Sequence, residues 1–386
     1  MAIMESPSPS RSEAAENIRR ALASAGEGLV EREGLLELVA LAAVAREHVL
    51  VVGPPGTAKS EAVRRVSRAL GGRYFEYLLG RFTEPSEIFG PVDLRSLKDG
   101  VVRTETAGML PEAEIAFLDE VFLGSTAILN TLLGILNERR FRRGSTDVAC
   151  PLRVCVGASN RIPEDDQLAA FGDRFLVRSF VESMPDSRLE DLLSGGWALA
   201  RGSSGEPASL ADLDALSQAA ATSDPSAIRA DLSQAVRLLR RAGIVLSDRR
   251  VVKVQMLIAA AAALAGRDAP TAADLWPIVV AVPTAEGQAL ARDVLRDLLA
   301  ASENPSLMTA TTEASLGPAA RAAQLEAAAK SVLAERPGDD AGQELAAWKL
   351  KLEALARTID AGFSSDHLPA GLATIRATIV TTLGGA

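Results

Sequence analysis

The sequence has little cysteine, little histidine and few aromatic side chains. Among its 386 residues there are two cysteines and two histidines, and aromatic residues make up 4%. Two cysteines cannot build a disulfide framework, and two isolated histidines, His48 and His367, cannot assemble a His/Cys metal cluster. The longest uncharged apolar stretch, residues 256–265, is well short of the roughly 18 residues that span a bilayer. We therefore expect no disulfide scaffold, no such metal cluster and no membrane span.

An excess of negative charge limits the partners that the chain attracts. Lysine and arginine number 41 against 50 aspartate and glutamate residues, which gives a net charge of −9 at pH 7. A field of this sign repels phosphate backbones, so we do not expect nucleic acid as a main partner. The first 14 residues contain no apolar signal core, and we expect a cytoplasmic protein.

Five short apolar runs predict the strands of one sheet. They are continuous and rich in branched side chains, which is typical of strands that are buried on both faces. Segments with helical periodicity separate them, and the pattern therefore predicts an α/β fold with a helix-covered, mostly parallel sheet. The predicted strands are residues 48–52, 74–79, 115–118, 154–158 and 175–181.

The chain divides into four predicted parts. Residues 1–12 are rich in serine and proline and offer nothing to bury, which predicts a disordered tail. Beyond residue 185 only helical patterns remain, among them one over residues 189–200, which a Gly/Ser loop over residues 201–207 follows. The predicted parts are the tail, an α/β core at residues 13–184, a helical domain at residues 185–283 and a helical extension at residues 284–386.

The segment GPPGTAKS, residues 53–60, carries the strongest chemical signal. It lies between a predicted strand and a predicted helix, where glycines let backbone N–H groups surround phosphate, the lysine adds charge and the serine binds Mg²⁺. The consensus has glycine before the lysine, whereas this chain has Ala58, whose methyl group fits if its dihedral angles are helical. An ordinary Gly/Pro turn with a solvated lysine is the alternative. The predicted phosphate-binding residues are Gly53, Pro54, Pro55, Gly56, Thr57, Ala58, Lys59, Ser60 and Glu61.

Two acidic residues, Asp119 and Glu120, end the predicted strand in the segment IAFLDE. Their carboxylates emerge at the carboxyl edge of the sheet, beside the phosphate-binding segment. We predict that Asp119 holds Mg²⁺ through water, together with Ser60, and that Glu120 orients and polarises the attacking water. The alternative is a pair of acids that caps the next helix.

These motifs, together with Asn160 in VGASN and Arg174 in GDRF, resemble those of AAA+ ATPases. The segments RFTEPSEIFGP, LPEAEIAFLDE, ILNTLLGILNER and SDRR are similar to the MoxR class, close to its RavA branch. The resemblance covers about residues 30–265. It implies an AAA+ αβα nucleotide-binding core with a parallel five-stranded sheet, an all-helical lid and Mg-dependent ATP hydrolysis.

The resemblance also assigns roles to three polar residues. Asn160 is the first sensor, which positions water or contacts the γ-phosphate; capping of the next turn is the alternative. Arg174 resembles the arginine finger that reaches a neighbouring subunit's nucleotide, and an intrasubunit salt bridge is the alternative. Arg249 in SDRR is the second sensor, although the adjacent Arg250 could serve instead.

Two segments are predicted to be hairpin insertions. Residues 91–108 have Asp99-Gly100 between alternating residues, a signal for a hairpin turn, and the resemblance implies that the tip at residues 97–99 faces a central pore. Residues 139–154 are predicted to form a second hairpin. Its arginines favour a subunit interface or an acidic partner over nucleic acid, and they are Arg139, Arg140, Arg142 and Arg143.

The resemblance implies a hexameric ring that uses ATP for chaperone-like remodelling or activation of client protein complexes. It also implies a partner with a von Willebrand factor A domain. A DNA-associated AAA+ motor or a Mg-chelatase-like subunit is the alternative function, and a nucleotide-binding scaffold without turnover is a third. In the extension, Trp348 lies on an apolar helical stripe, which predicts a core position or, alternatively, a docking surface.

Overall fold

The structure describes most of the chain. In this computed structural model the described residues are 9–184, 192–194, 196–197, 208–316, 318–337, 342–362 and 368–384. Residues 1–8 of the predicted tail, most of the predicted helix at residues 189–200, the Gly/Ser loop at residues 201–207 and His367 lie outside the described residues.

A parallel sheet lies at the centre of the α/β part. Its strands are β1 (Val49–Val52), β2 (Tyr74–Leu78), β3 (Ile115–Asp119), β6 (Val154–Ser159) and β7 (Val177–Phe180), whereas β4 (Arg140–Arg143) and β5 (Thr146–Ala149) form a separate hairpin. The sheet order is β2-β3-β6-β1-β7, and all four neighbouring pairs are parallel. The predicted fold class is therefore confirmed, since the five apolar runs form these strands.

Helices make up most of the remaining structure. In the α/β part they are α1 (Arg11–Gly26), α2 (Glu33–Ala45), α3 (Lys59–Leu70), α4 (Pro85–Phe89), α5 (Leu94–Lys98), α6 (Thr126–Glu138) and α7 (Asp166–Gly172). The following described helices are α8 (Leu210–Thr222), α9 (Arg229–Arg241), α10 (Asp248–Leu264), α11 (Pro277–Val280), α12 (Ala285–Val294), α13 (Arg296–Leu299) and α14 (Met308–Ser315). The last three are α15 (Pro318–Ala334), α16 (Gly342–Gly362) and α17 (Ala370–Gly384).

Four strands of the sheet, all except the edge strand β2, are buried on both faces. Alternate residues of a strand point to opposite sides, and in β1 Val49 and Val51 belong to one apolar cluster while Leu50 belongs to the other. The first cluster includes α2, whose sequence EGLLELVALAAVA is apolar on almost every side, as expected for a helix that is covered all round. The second includes Ile128 and Leu132 of α6. The result is a three-layer αβα core.

The first helices after residue 284 pack with this core. Leu295, Leu299, Leu307 and Ala310 belong to the same apolar cluster as α2 and α10. The predicted extension at residues 284–386 is therefore not one packing unit, because α12 to α14 bury their apolar faces against the preceding domains. The predicted boundary between residues 283 and 284 follows Pro283. Proline interrupts secondary structure there, but it does not separate the apolar cores of the elements on either side.

The three last helices have an apolar cluster of their own. It contains Trp348 and Leu352 of α16, Ala329 of α15 and Ile375 of α17. Trp348 is 5% exposed, and its indole N–H donates to the Val332 carbonyl at 2.6 Å. The core position predicted for Trp348 is confirmed.

The first predicted insertion differs from a β-hairpin. Residues 94–98 form the helix α5, because Asp93 caps it by accepting from Arg95 N and from the Ser96 hydroxyl. The segment returns through a turn at Gly100, whose φ is +77°. Strand-like pairing is limited to a single antiparallel bridge between Val92 and Thr104. The hairpin prediction is therefore wrong at its tip, which is helical.

The second predicted hairpin is confirmed. Strands β4 and β5 pair antiparallel, and Arg143 lies opposite Thr146. The two-residue turn between them requires a positive φ, which Gly144 supplies at +59°.

In the part of the chain that the structure describes, no helix combines the length and the apolar character that crossing a bilayer requires.

A buried carboxyl group joins α2 to α14. Glu37 accepts from the backbone N–H groups of Ala310 and Thr309 at 2.7 and 3.3 Å. Burial raises the pKa of Glu37 to about 7, and Glu313 adds to this, while the two N–H groups oppose it. The folded state therefore binds more protons than the unfolded state between the two pKa values, and stability is lost as the pH rises through this window.

We expect Glu37→Gln to remove this pH dependence. Between about pH 5 and pH 8 the wild type should lose about 2 kcal/mol of unfolding free energy relative to the variant. Urea unfolding of both proteins at the two pH values measures the difference. Stability curves that stay parallel across this range would contradict the assignment.

Candidate active site

The phosphate-binding segment lies where β1 ends and α3 begins. Gly53 passes close to the residue after β7, and a Cβ atom on Gly53 would lie 2.2 Å from the Val181 carbonyl oxygen. Glycine is therefore required there. Gly56 has a φ of +79° and open space around it, and Pro54 and Pro55 are exposed. The start of the loop is thus closely packed against the chain after β7, and its tip is exposed to solvent.

Lys59 points back into the loop that precedes it. Its Nζ donates to the Gly53 and Pro54 carbonyls, both at 2.8 Å, and the residue is 7% exposed. Burial lowers the pKa of Lys59, whereas the negative charges of Asp119 and Glu120 raise it. The ammonium group therefore lies against the carbonyls of the phosphate loop and within the electrostatic influence of the two carboxylates.

The other loop residues complete this arrangement. The Thr57 hydroxyl donates to the Pro54 carbonyl at 2.9 Å, and Ser60 is half-buried in the first turn of α3. Glu61 forms ion pairs with Arg64 and Arg65. The N-terminus of α3 has no side-chain cap, and its free N–H groups are suited to bind an anion.

Ala58 does not have the helical dihedral angles that were expected for an alanine at this position. Its φ and ψ are 58° and 24°, in the left-handed region. Side chains with a Cβ are disfavoured there, which explains why the consensus has glycine at this position. The phosphate loop of this chain therefore contains local strain.

Arg32 is a further residue of the site, and the sequence pattern did not predict its role. Its guanidinium donates to the Thr57 carbonyl at 2.9 Å and to the Glu182 carbonyl at 3.0 Å. It is 6% exposed and fastens the phosphate loop to the chain after β7. An arginine directly before the apolar helix α2 was a weak signal, and its partners are distant in sequence.

The carboxyl edge of the sheet collects three polar residues. Asp119 ends β3, Glu120 follows it, and Asn160 follows the neighbouring strand β6. The Asn160 side-chain amide donates to Glu120 Oε1 at 2.5 Å, so the two predicted residues are in direct contact. Burial raises the pKa of Glu120, and the charge of Asp119 adds to this while Lys59 opposes it. Glu120 therefore has a raised affinity for a proton, as a general base requires.

Arg174 lies at the other end of the sheet. It precedes β7, whose first residue Val177 pairs with Val49 at the start of β1. Four residues of β1, about 13 Å of strand, separate this end from the phosphate loop. Among the described residues Arg174 has no ion pair, and its Nε has no hydrogen-bond partner. It thus lies away from the phosphate loop of its own chain.

The two arginines of SDRR lie at this same end. Arg249 donates to Asn137 Oδ1 at 2.7 Å, and Asn137 follows Leu136, whose carbonyl contacts His48 just before β1. Arg249 therefore does not contact the phosphate loop of its own chain. Arg250 is 1% exposed, and its guanidinium donates to protein acceptors. These contacts favour Arg249 over Arg250 as the second sensor, and the assignment stays a prediction.

The arginines of the second hairpin are largely bound within the chain. Arg139 donates to the Arg46 and Leu136 carbonyls. Arg140 pairs with Asp147, and Arg142 pairs with Glu138. Arg143 has no ion pair among the described residues. The predicted basic surface is therefore reduced, for a nucleic acid as well as for an acidic partner.

Comparison with known proteins identifies the family. The fold and the edge-clustered polar residues define a phosphate-loop ATPase of the AAA+ class. The family described as the MoxR domain in the MoxR-vWA-beta-propeller ternary systems matches residues 16–218, and an AAA lid domain family matches residues 226–283. Since the first match covers more than half of the chain, the chain belongs to this family of MoxR-class AAA+ ATPases.

Individual relatives agree with this result. An uncharacterized protein of Methanocaldococcus jannaschii is 37% identical over 255 residues, 64% of this chain and 66% of that protein. Chaperone MoxR1 of Mycobacterium tuberculosis is 25% identical over 165 residues, 42% of this chain and 43% of that protein. The chain thus spans less than two thirds of the length of these curated relatives. These matches do not distinguish the RavA branch, which stays a prediction.

A solved structure shares the fold. The crystal structure of a "putative ATPase" from Cytophaga hutchinsonii has a TM-score of 0.61 and 14% identity, and the match covers 76% of this chain and 96% of that one. Identity at this level is evidence for the fold alone.

We expect Ala58→Gly to stabilise the protein. Relief of left-handed strain gains about 1–2 kcal/mol, and the added freedom of the unfolded chain offsets about 0.5–1 kcal/mol. A net gain of about 0.5–1 kcal/mol should appear in urea unfolding. Ala62→Gly, inside α3, is the matched control and should destabilise, because its backbone is helical. Destabilisation by both substitutions would show that Ala58 is unstrained.

Proposed function

We propose that the chain hydrolyses ATP as one subunit of a hexameric ring, as the family resemblance implies, and that hydrolysis drives remodelling of protein complexes. The observation that carries this proposal is the distribution of polar residues over the two ends of the sheet. Lys59, Glu120 and Asn160 gather at the carboxyl edge, whereas Arg174 and Arg249 lie at the amino edge. A subunit therefore has a candidate nucleotide site at one end and, among the described residues, two arginines without an ion pair at the other.

The residues present fit a nucleotide with magnesium. The uncapped N-terminus of α3 and Lys59 would hold the phosphates, and Ser60 and Asp119, the latter through water, would hold the metal. Bound Mg²⁺ would neutralise charge on the phosphate oxygens. Glu120 would orient the attacking water and accept its proton, and the Asn160 amide would hold Glu120 in position.

A neighbouring subunit would complete the site. Phosphoryl transfer spreads negative charge over the γ-phosphate, and an added arginine stabilises this charge. Arg174 cannot supply it within its own chain, because the length of β1 separates the two. In a closed ring each subunit would give Arg174 to its neighbour, and Arg249 at the same end would act as the second sensor there.

The helical domain would convert hydrolysis into motion. We infer that α8 to α11 form the lid, which shifts against the α/β core when nucleotide changes. The helical tip of the insertion, at residues 97–99, would transmit this shift to a client in the pore. A protein with a von Willebrand factor A domain is the partner we propose, because the family description names such systems.

The alternative of a DNA-associated motor has little support. Its main sequence feature was the arginine cluster of the second hairpin, and Arg139, Arg140 and Arg142 bond within the chain. The net charge of −9 also opposes it.

We expect Lys59→Ala and Glu120→Gln to separate binding from turnover. Lys59→Ala should weaken nucleotide binding, because the positive charge that would face the terminal phosphates is lost. Glu120→Gln should retain binding and lower turnover by about 10²–10⁴-fold, as expected for loss of a general base. Phosphate release with Mg²⁺ and binding of a fluorescent ATP analogue measure the two effects.

Lys351→Ala, which removes an exposed lysine of α16, is the control and should keep both activities. Wild-type turnover in either Lys59→Ala or Glu120→Gln would contradict the site assignment. Turnover that persists when Mg²⁺ is chelated would contradict the metal.

A further inference from the structure

Arg250 is a buried arginine that the proposed reaction does not use directly. It lies in the first turn of α10, beside Arg249, and is 1% exposed. Its Nε donates to Asp173 Oδ1 at 2.6 Å, and its Nη2 donates to the Phe175 carbonyl at 2.9 Å. Its Nη1 donates to the Leu176 carbonyl at 2.9 Å. These acceptors flank Arg174 on both sides.

The finger loop, which we define as residues 172–176, is held by a second buried arginine as well. Arg178 of β7 is 5% exposed and donates to the Gly172 carbonyl at 2.6 Å. Arg178 or Arg250 accordingly bonds to the carbonyl or the side chain of four of the five loop residues. Arg174 is the fifth residue, and it has no such bond. The backbone around Arg174 is therefore fixed, while the half-buried Arg174 side chain has no ion pair among the described residues.

Arg250 also joins the finger loop to the helical domain. The same Nη1 donates to the Ala281 carbonyl at 2.7 Å, directly after α11. The N-terminus of α10 is capped by Ser247, whose hydroxyl accepts from Arg250 N. One guanidinium thus bonds to the loop that carries Arg174 and to the end of α11. A shift of α10 must carry the loop with it or break these bonds.

We propose that Arg250 is a positioning residue, which places the arginine finger Arg174 of its own subunit at the neighbour's nucleotide and couples the finger to movement of the lid. The inference rests on the proposed trans role of Arg174. A buried guanidinium with four hydrogen bonds suits this task, because removal of one partner leaves an unpaired buried group. Displacement of a reacting group by about 1 Å costs about 10²-fold in rate.

The test uses Arg250→Met and Asp173→Asn. Arg250→Met keeps an unbranched side chain in place of the apolar arginine stem and removes every side-chain hydrogen bond, whereas Asp173→Asn removes only the ion pair. Arg250→Met should lower kcat by about 10²-fold, with the KM for ATP changed by less than about twofold. Arg241→Met, an exposed arginine at the end of α9, is the matched control and should keep wild-type kcat.

Mixed rings distinguish positioning of the finger from general damage. An Arg250→Met subunit has an intact nucleotide site and a misplaced finger, whereas a Glu120→Gln subunit has the reverse. Random equimolar mixing gives about half of the intact sites a correct finger. Turnover per Arg250→Met subunit should therefore rise towards about half the wild-type value, although each variant alone turns over about 10²-fold or more below wild type. Arg174→Ala mixed with Glu120→Gln is the reference and should show the same rise.

Asp173→Asn keeps the three carbonyl bonds and gives the same pattern with a smaller defect, so that the test stands if Arg250→Met does not fold. A rise for Arg174→Ala without a rise for the Arg250→Met or Asp173→Asn mixture would overturn the role of Arg250. No rise for any mixture, including Arg174→Ala, would overturn the trans finger and with it this inference.

Discussion

Parallel pairing of β1 with β6 and β7 determines where every functional side chain lies. Because the strands run in one direction, the residues that directly follow the strands lie together at the carboxyl edge of the sheet. The residues that directly precede the strands lie together at the amino edge. Gly53 after β1, Asp119 at the end of β3 and Asn160 after β6 share the first edge. Arg174, before β7, is confined to the second. A single chain cannot bring these two groups together without breaking the sheet.

This separation gives assembly a chemical role. In the proposed ring the amino edge of one subunit supplies cations to the carboxyl edge of the next, so that hydrolysis depends on the geometry between subunits. Arg250 then links that geometry to the helical domain, since its guanidinium bonds to the loop around Arg174 and to Ala281. In the proposed mechanism, movement of the lid and delivery of the finger would be one event, which is the coupling that a remodelling ATPase requires.

Much of this could be predicted from local sequence signals. Short apolar runs predicted the strands. GPPGTAKS and the acidic pair at the end of β3 predicted which polar residues meet at the carboxyl edge of the sheet, because both signals depend on short spacings. Long-range contacts were not predictable. Ala58 is left-handed, α5 replaces a hairpin tip because Asp93 caps it, and Arg250 is buried by residues from two distant segments. The contacts of Arg32 with Thr57 and Glu182 are also long-range and could not be predicted from local sequence.

The central claim is that a neighbouring subunit completes each nucleotide site. Its most direct measurement is ATP turnover per subunit over a dilution series, with the assembly state followed by sedimentation in the same samples. The account predicts that turnover per subunit falls by about 10³-fold or more as rings dissociate, the value of a trans arginine, while separated subunits still bind nucleotide. Equal turnover per subunit in separated and assembled protein would contradict it.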